Sequence, residues 1–501
     1  MSNPIKKLLG QTAIYGFSSI VGRLLNYLLV FLYTRVFLPD AYGVVTELYS
    51  YAGFLLVFLT YGIETGFFRF SEKLKEYNKV YSTVLIPLFI TSVVFVVSIV
   101  IFSQSIANLL QYKSNPEYII WFAIIAAVDA FVSLPFAKLR QEKKAKKFAI
   151  FRFSAICLNI GLNLFFLLLC PYIYKNNPNS LFIFFYNPQI GVGYIFIANL
   201  ITSLFSLILF IPDFIKIKFT FSLSIYKNIL VYSIPVLIGS LAGIINEVLD
   251  RLMLKYYIIV PSNIPDPHQF KMAQIGIYGA NYKLAILMTL FIQTFRYAAE
   301  PFFFSLEKDN DSKKIYGDVM KYFIIFCLFI FLGVTLYLDI AKFFIDKNYW
   351  EGLNVVPILL LANLFLGIIY NLSIWYKLTD KTIFGAYISI FGAVITIVLN
   401  IVLIPILGYF GSAWATFFCY FLMMVTSYFL GQKYFYVNYE IKKILLYFSI
   451  SLTIYFLSIY LKTNKLYVDL SINTVLFFIF LVFIFWKENV LQLLKRFKRK
   501  S

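Results

Sequence analysis

The stretch YGANYKLAILMTLFIQTFRYAAE (278–300) decides the fold, because it is long and apolar enough to cross a bilayer and yet carries charges. A transmembrane helix needs about 20 mainly apolar residues. This one contains Lys283 and Arg296 and closes on Glu300. Insertion scales put the cost of one charge at the bilayer centre at about 2.5–3.5 kcal/mol. Some partner or ligand must therefore favour keeping these cations in a membrane helix.

The composition of the whole chain is that of an integral membrane protein. Of its 501 residues, 61% are hydrophobic and only 14% are charged, whereas a soluble domain has about 25% charged residues. The formal net charge is +20. Most of the cations fall in short loops between apolar stretches, where they set orientation. We therefore expect membrane lipids, and no nucleic acid, as the general surroundings of the chain.

The apolar stretches predict about fourteen transmembrane helices and no separate soluble domain. Each stretch approaches or exceeds the length that a bilayer requires. The predicted spans are 10–33, 42–67, 80–103, 117–137, 148–170, 193–213, 229–254, 275–299, 317–338, 353–376, 383–406, 411–431, 443–461 and 468–486.

The distribution of Lys and Arg predicts the orientation. With the N-terminus inside, the inner segments hold 29 Lys and Arg and the outer segments hold nine. Cytoplasmic loops carry such an excess of cations. Both termini are therefore predicted to be cytoplasmic, which requires an even number of spans. The tail NVLQLLKRFKRKS (489–501) is either a basic amphipathic end on anionic lipid or a simple cytoplasmic flank.

The residue types that support catalysis or metal binding are scarce in the predicted spans. The four cysteines lie in or at the ends of apolar spans without a CxxC spacing, and the single histidine, His268, lies in a polar loop. This pattern offers no zinc site and no Ser–His or Cys–His pair. We expect no metal, no cofactor and no enzymatic activity.

An internal repeat relates the two halves of the chain. Residue n matches residue n+236 in the pairs Tyr42/Tyr278, Gly43/Gly279, Leu48/Leu284, Tyr61/Tyr297, Glu64/Glu300, Phe67/Phe303 and Phe68/Phe304. NIGLN (159–163) likewise resembles TIVLN (396–400), and TR (34–35) corresponds to DR (250–251). Duplicated halves are common in transporters, where they surround a central site.

The repeat predicts two parallel six-helix lobes related by a pseudo-two-fold axis along the membrane normal. An even-numbered unit begins and ends on the same side of the membrane, so the two copies run parallel. The predicted division is 1–215 for the first lobe, 216–440 for the second, and 441–501 for helices 13 and 14 with the basic tail.

Two pairs of spans resemble a known family. FLPDAYGVVTELYSYAGFLLVFLTYGIETGFFRF (37–70) looks like the start of Wzx-type oligosaccharide flippases. These are the polysaccharide biosynthesis proteins of the MOP (multidrug/oligosaccharidyl-lipid/polysaccharide) superfamily. VLDRLMLKYY (248–257) and IGIYGANYKLAILMTLFIQTFRYAAEPFFFSL (275–306) are similar to helices 7 and 8 of that family. The resemblance implies two lobes around a cationic cavity and a polyprenyl-diphosphate-linked sugar turned from the inner to the outer leaflet.

The cations inside the predicted spans are the candidate substrate-binding residues. Arg23 lies near the middle of span 1, where it either contacts a diphosphate or pairs with a buried acid. Arg296 is a second candidate, and its alternative is an i,i+4 pair with Glu300. Lys283 either pairs with Glu47, its repeat-matched residue, to close an outer gate, or reaches the interface as lysine side chains do.

The intramembrane acids are candidates for ion coupling or for countercharge. Asp129, in the middle of span 4, is the best candidate for a proton or sodium site, and Glu47, Glu64 and Glu300 are the others. Structural duty is the favoured alternative for Glu64 and Glu300, at the inner ends of their spans. Asp250 and Arg251 match the DR of the family and are predicted to form a lobe-packing pair.

The function predicted from the resemblance is a flippase in a bacterial inner membrane for O-antigen, capsule or exopolysaccharide assembly. Its partners would be the lipid-linked oligosaccharide, membrane lipids, and a polymerase and glycosyltransferases of the same route. The alternatives are a lipid II flippase, a multidrug exporter of the same superfamily, and a membrane glycosyltransferase or polymerase. The intramembrane cations argue against an exporter of cationic drugs. The outer loops near 171–192 and 255–274 contain only Asp266 as an acid, which argues against a glycosyltransferase or polymerase.

Overall fold

The structure, a computed structural model, describes residues 21–74, 76–177, 186–305, 312–463 and 465–488. In these ranges the regular secondary structure is helical, as the sequence predicts. Residues 21–36 form α1. The other helices, numbered in chain order, are α2 Pro39–Thr60, α3 Ile63–Leu74, α4 Tyr77–Ile101, α5 Ser103–Leu109, α6 Pro116–Gln141, α7 Ala145–Leu164, α8 Cys170–Asn176, α9 Gly193–Ile215, α10 Leu223–Tyr257, α11 Pro267–Leu284, α12 Ile286–Ser305, α13 Ser312–Thr335, α14 Leu338–Ala341, α15 Val356–Leu372, α16 Ile374–Leu378, α17 Ile383–Leu407, α18 Tyr409–Tyr434, α19 Ile441–Tyr460 and α20 Leu466–Lys487.

The described residues contain 12 helices that are long and apolar enough to cross a membrane, or 13 if one bent pair is counted as a span. The bent pair is Pro267–Leu284 with Ile286–Phe304, at an angle of 47°, and it contains the stretch that opened the sequence analysis. Every predicted span from the second onward coincides with one of these helices. The predicted first span, 10–33, begins outside the described residues, and the tail 489–501 lies entirely outside them.

The helices group into two compact units. The N-terminal unit comprises the described residues up to Gly279 together with Ile383–Cys419, and the C-terminal unit comprises Ala280–Thr382 and the described residues from Tyr420 onward. These units are defined by which helices pack together, and their boundaries in the chain differ from those of the predicted lobes. The predicted lobes 1–215 and 216–440 and the pseudo-two-fold axis therefore stay predictions.

In the N-terminal unit, α10 is the longest helix and packs against α2, α3 and α17, while α6 packs against α4 and α9. A cluster of buried apolar side chains, including Ile63, Phe67, Val84, Leu88 and Ile229, joins α3, α4 and α10 at one end. Large apolar side chains on the outside of these helices, such as those along α4, remain exposed in the protein alone. Helices with apolar exteriors are stable where lipid is the solvent.

In the C-terminal unit, polar contacts fasten α19 and α20 to α13 at one end. Lys321 of α13 is buried, and its ammonium group lies 2.6 Å from a Glu440 oxygen and 3.2 Å from a Glu488 oxygen. Glu440 immediately precedes α19, and Glu488 immediately follows α20. Breaking such a buried charge network by removing one partner typically costs about 3–5 kcal/mol.

A second set of contacts fastens the opposite end of the same helices. Asp339 lies 2.8 Å from Lys342 and 3.0 Å from Lys462, which follows α19. Partial burial alone would raise the pKa of the Asp339 carboxyl group, but hydrogen bonds from these two lysines outweigh it and lower the pKa. Asn473 of α20 also donates a hydrogen bond to the Leu336 carbonyl at 2.7 Å. The last two helices are therefore attached to α13 at both ends.

Residues matched by the repeat make matching contacts. The Asn163 amide donates to the carbonyl four residues earlier at 2.8 Å, and the Asn400 amide does the same at 2.7 Å. Arg35 and Arg251 each donate to the carbonyl four residues earlier at 3.0 Å. Asn176 and Asn371, which the repeat does not match, make the same local contact, so these bonds do not test the repeat, which stays a prediction.

The predicted orientation can be tested at two exposed positions. In a variant that carries Cys157→Ala, we expect Ile259→Cys, just after α10, to react with an impermeant maleimide in intact cells. Lys144→Cys, in the turn before α7, should react only after permeabilisation, because the positive-inside rule places that basic turn in the cytoplasm. Both positions are exposed. The opposite pattern of labelling would show that the topology is inverted.

Candidate functional site

A buried ion pair joins α2 to α10 in the N-terminal unit. The Lys255 ammonium group lies 2.9 Å from a Glu47 oxygen, and the two side chains are 1% and 0% exposed. The Tyr112 hydroxyl donates to Glu47 at 2.5 Å, and Lys255 also donates to the Leu110 carbonyl at 2.6 Å. We call Glu47, Tyr112 and Lys255 the outer latch, because all three lie at the predicted outer ends of their segments.

The backbones of α2 and α11 touch beside the outer latch. A Cβ atom at Gly43 would lie 1.9 Å from the Met272 carbonyl oxygen, and one at Gly276 would lie 1.9 Å from the Pro39 carbonyl oxygen. Glycine inside a helix is disfavoured by about 1 kcal/mol relative to alanine. Such a close approach of two helices requires it at both positions. The two helices thus meet at Gly43, in the first repeat-matched Tyr-Gly motif, and at Gly276, two residues before the second motif.

The repeat-matched glutamates, Glu64 and Glu300, each bind a cation within their own unit. Arg140 contacts the Glu64 carboxylate in the N-terminal unit. Lys377 lies 2.5 Å from Glu300 in the C-terminal unit. Arg140 and Lys377 correspond at an offset of 237, so both members of the pair are repeated. These contacts are compatible with the structural role that the sequence analysis favoured for the two glutamates, and that role stays a prediction.

Arg296 lines a groove in the C-terminal unit and is not the main partner of Glu300. The Arg296 Nε atom lies 3.7 Å from the Glu300 carboxylate, whereas the Lys377 ammonium group lies 2.5 Å from it. The Arg296 guanidinium group is 4.9 Å from the centre of the Tyr370 ring. The groove is also lined by Lys377, Asn371 and Glu300. Among the described residues, the buried Asn371 Oδ1 has no hydrogen-bond donor. The groove therefore offers a net positive charge and an unused acceptor.

Arg23 and Lys283, the other predicted substrate-binding cations, are placed differently. Arg23 is exposed on α1, and Lys283 is half-buried near the end of α11. Sequence reasoning offered Glu47 as a gate partner for Lys283, but the Glu47 carboxylate is bound by Lys255 and Tyr112. A charge that is exposed in the middle of a span is stable only if it faces water or an anion, since hydrocarbon disfavours it.

Asp129 of α6 and Arg152 of α7 are neighbouring charged side chains of the N-terminal unit, and both are exposed. Its Oδ1 atom accepts a hydrogen bond from the Ser203 hydroxyl at 2.7 Å. Asp129 also interacts electrostatically with Arg152 of α7 and with Tyr49 of α2. The side chains of Asp129, Arg152 and Tyr49 have protein atoms on most sides, but each keeps part of its surface exposed. Within the described residues, Asp129 forms no ion pair within 4 Å, in contrast to Glu47, Glu64 and Glu300.

Asp250 and Arg251, predicted to act in packing, contact their own helix and two others. Asp250 is buried and accepts a hydrogen bond from the Tyr278 hydroxyl of α11 at 2.6 Å. The Thr416 hydroxyl of α18 lies 3.4 Å away, and the Arg251 backbone N–H donates to the same carboxylate at 2.8 Å. These are contacts of a residue that holds helices together, although the packing role itself stays a prediction.

Sequence reasoning missed Tyr112, Arg140, Arg152, Lys255 and Lys377. Arg140 and Lys377 are equivalent under the repeat, so extending the alignment beyond the most similar spans would have indicated them. Arg152 is a cation inside a predicted span, which is itself a signal. Lys255 looked like a flank of span 7, and nothing in the sequence indicates that Tyr112 reaches Glu47.

Comparison with known proteins gives one matching family model. A family model described as polysaccharide biosynthesis protein matches residues 8–307. No curated protein sequence matches the chain.

Solved structures of membrane transporters share the fold. The lipid II flippase MurJ in an inward closed conformation is 16% identical, with a TM-score of 0.67, over 96% of this chain and 99% of that one. An inward-facing multidrug resistance MATE family transporter of the MOP superfamily is 14% identical, with a TM-score of 0.65, over 82% of this chain and 94% of that one. Likeness at this level of identity concerns the fold, so the chain is a multi-pass membrane protein with the fold of MOP transporters.

Proposed function

Since the chain belongs to the polysaccharide biosynthesis protein family, we propose that it is a flippase for a polyprenyl-diphosphate-linked oligosaccharide. It moves this lipid from the inner to the outer leaflet of a bacterial plasma membrane, for assembly of O-antigen, capsule or exopolysaccharide. Both of its termini are cytoplasmic. Glycosyltransferases supply the substrate on the inner side, and a polymerase uses it on the outer side.

The observation that carries this proposal is the exposure of the cations inside the spans. Arg296 is 49% exposed although Glu300, its nearest acid, is already bound by Lys377. Arg23 is likewise exposed on α1. A guanidinium group has a planar fork of N–H donors that matches phosphate oxygens. These two arginines suit a diphosphate headgroup, and Lys283 is a secondary site or part of a gate.

The physical task of such a protein is to move charge past hydrocarbon. Transfer of a single ion into a low-dielectric medium has an idealised cost of about 20 kcal/mol. Fixed cations and a water-filled path remove most of this cost, while the polyprenyl tail remains in the bilayer. No bond is made or broken, so the protein acts by binding and conformational change and not as an enzyme.

Alternating access requires that the outer side open and close, and the outer latch provides a reversible contact. A buried ion pair gains little net free energy, because the attraction of the charges is offset by their desolvation. When the helices separate, water hydrates Glu47 and Lys255 and recovers that desolvation cost. The latch therefore holds the closed state without making its opening prohibitive.

Asp129 is the proposed site of the coupling ion, either a proton or a sodium ion. Glu47, Glu64 and Glu300 each have a cation within 4 Å, so they serve as countercharges. The Asp129 carboxylate has only the Ser203 hydroxyl as a hydrogen-bond donor among the described residues, and its side chain is exposed. An ion can reach it there.

Deletion of the gene in its native host tests the proposed function. We expect loss of surface polysaccharide from cells that remain viable, and recovery with the wild-type gene. Lysis of the cells with accumulation of lipid II would indicate a lipid II flippase. Unchanged polysaccharide with altered drug susceptibility would indicate an exporter.

A further inference from the structure

Arg152 occupies an unusual position on α7. The side chains of Phe148, Ala155, Asn159 and Asn163 are buried and share one face of the helix at the spacing of 3.6 residues per turn. Arg152 lies on that same face, four residues after Phe148, but it is exposed. Arg152 lies seven residues after the start of the candidate span Ala145–Asn176. That is about 10 Å along a helix that rises 1.5 Å per residue. The inward face of α7 therefore borders an open cleft at this depth.

The guanidinium group of Arg152 is held in place but has unused donors. Its Cζ atom lies 4.1 Å from the centre of the Phe136 ring and 5.9 Å from that of Phe148. Stacking on a ring leaves the N–H groups at the edge of the guanidinium plane available. In the part of the chain that the structure describes, Arg152 donates no hydrogen bond and forms no ion pair within 4 Å. An arginine in a membrane span with five free N–H groups needs water or an anion as its partner.

The acids near Arg152 do not neutralise it by contact. Glu64 interacts with it electrostatically, but the Glu64 carboxylate is bound by Arg140. Asp129 also interacts with it at longer range and accepts its hydrogen bond from Ser203. The positive charge of Arg152 is therefore not neutralised by direct contact, since Glu64 is already paired with Arg140.

The C-terminal unit is built in the same way. There the Glu300–Lys377 pair corresponds to the Glu64–Arg140 pair, and Arg296 stacks beside Tyr370 as the additional cation. Arg152 and Arg296 are not matched by the repeat, since their equivalents are Ser389 and Thr60. Each unit therefore has its own glutamate–cation pair and its own stacked arginine. The two stacked arginines lie on helices that the repeat does not match.

We propose that Arg152 is a phosphate-binding residue in the cleft of the N-terminal unit, where its guanidinium edge donates hydrogen bonds to the diphosphate of a polyprenyl-linked substrate. This assignment rests on the proposed function and adds a binding residue to it. A charged hydrogen bond of this kind changes a binding constant by about 10- to 100-fold.

The test uses the purified full chain in detergent, with undecaprenyl diphosphate as the charged probe and undecaprenol as the neutral one. We expect Arg152→Gln to weaken binding of the diphosphate by about 10- to 100-fold and to leave binding of undecaprenol unchanged. Arg152→Lys should be intermediate, since it keeps the charge and loses the fork. Arg69→Gln is the matched control, because Arg69 of α3 is also an exposed arginine of the same unit and stacks on a ring, that of Tyr232, at 4.3 Å.

The outcomes separate this proposal from the proposed function. If the wild-type protein does not bind undecaprenyl diphosphate, both fail. If the wild type binds it and Arg152→Gln binds it equally well, only the role of Arg152 is wrong. Equal weakening for the diphosphate and for undecaprenol, with a lower melting temperature, would assign Arg152 a structural role. Should Arg152→Gln fail to fold, the comparison of Arg152→Lys with wild type decides, and equal affinities would overturn the proposal.

Discussion

Replacing the outer latch by apolar side chains, Glu47→Leu with Tyr112→Phe and Lys255→Met, should keep the melting temperature close to that of wild type but reduce transport at least tenfold. Replacing a buried ion pair by apolar residues of similar volume is often neutral or stabilising. The remaining loss, the charged hydrogen bond from Lys255 to the Leu110 carbonyl, contributes about 1.5–3 kcal/mol and is offset by the desolvation cost of the ion pair that the apolar residues remove. Opening the apolar variant, however, would expose side chains that each contribute about 1.5–3 kcal/mol when buried. The apolar variant therefore favours the closed state over the open state more strongly than the wild type does, which slows opening and transport.

The measurements for this variant are thermal unfolding in detergent and surface polysaccharide at equal protein abundance in the membrane. Glu47→Ala serves as the contrast, because it leaves the buried Lys255 ammonium group without its anion. That loss costs about 3–5 kcal/mol and should lower both the melting temperature and the abundance. If the apolar triple variant transports as well as wild type does, the latch is only a packing feature and is not a gate.

Arg296→Ala should reduce polysaccharide display by about 10- to 100-fold, the loss expected when a charged hydrogen bond to a phosphate is removed. The protein should remain folded, since Arg296 is half-exposed and Glu300 keeps Lys377 at 2.5 Å. Arg296→Lys should retain part of the activity, because it keeps the charge but not the planar fork.

The competing explanation for Arg296 is that it only neutralises Glu300. In that case the double variant Arg296→Ala with Glu300→Ala would recover display, whereas we expect no recovery. Lys381→Ala is the control, since Lys381 is a cation of the same unit that stacks on Tyr434 at 3.8 Å. Its removal should leave display unchanged when membrane abundance is equal.

Much of the fold could be predicted because lipid imposes a simple rule on the sequence. Backbone groups must be satisfied within each segment that crosses a bilayer, so long apolar stretches become helices wherever they lie. The spans from 42–67 onward were predicted for this reason. The bend between α11 and α12 was not predicted, because it occurs within a continuous apolar stretch that contains no proline.

Much less of the candidate site could be predicted, because it depends on pairings between distant segments. Repeat equivalence suggested Lys283 as a gate partner for Glu47, and that pairing stays a prediction, since repeat-matched residues occupy equivalent positions in two copies and need not touch each other. The structure shows Glu47 bound by Lys255, a residue more than 200 positions away, and by Tyr112 from a third segment. Arg296 was identified correctly as a cation in a span, yet only the structure located Lys377 beside Glu300.

The sequence by itself determined that the chain is an all-helical membrane protein with a repeated motif, and it determined the family through local motifs in spans 1–2 and 7–8. These properties follow from composition and from spacing within single helices. The tertiary structure decided which charges are neutralised and which are left over. That outcome depends on distances of a few ångströms between helices, since a charge is satisfied only by direct contact. Glu64 with Arg140 and Glu300 with Lys377 form such contacts. Arg152 and Arg296 remain exposed, Arg152 beside the Phe136 ring and Arg296 at 3.7 Å from the Glu300 carboxylate that Lys377 binds more closely.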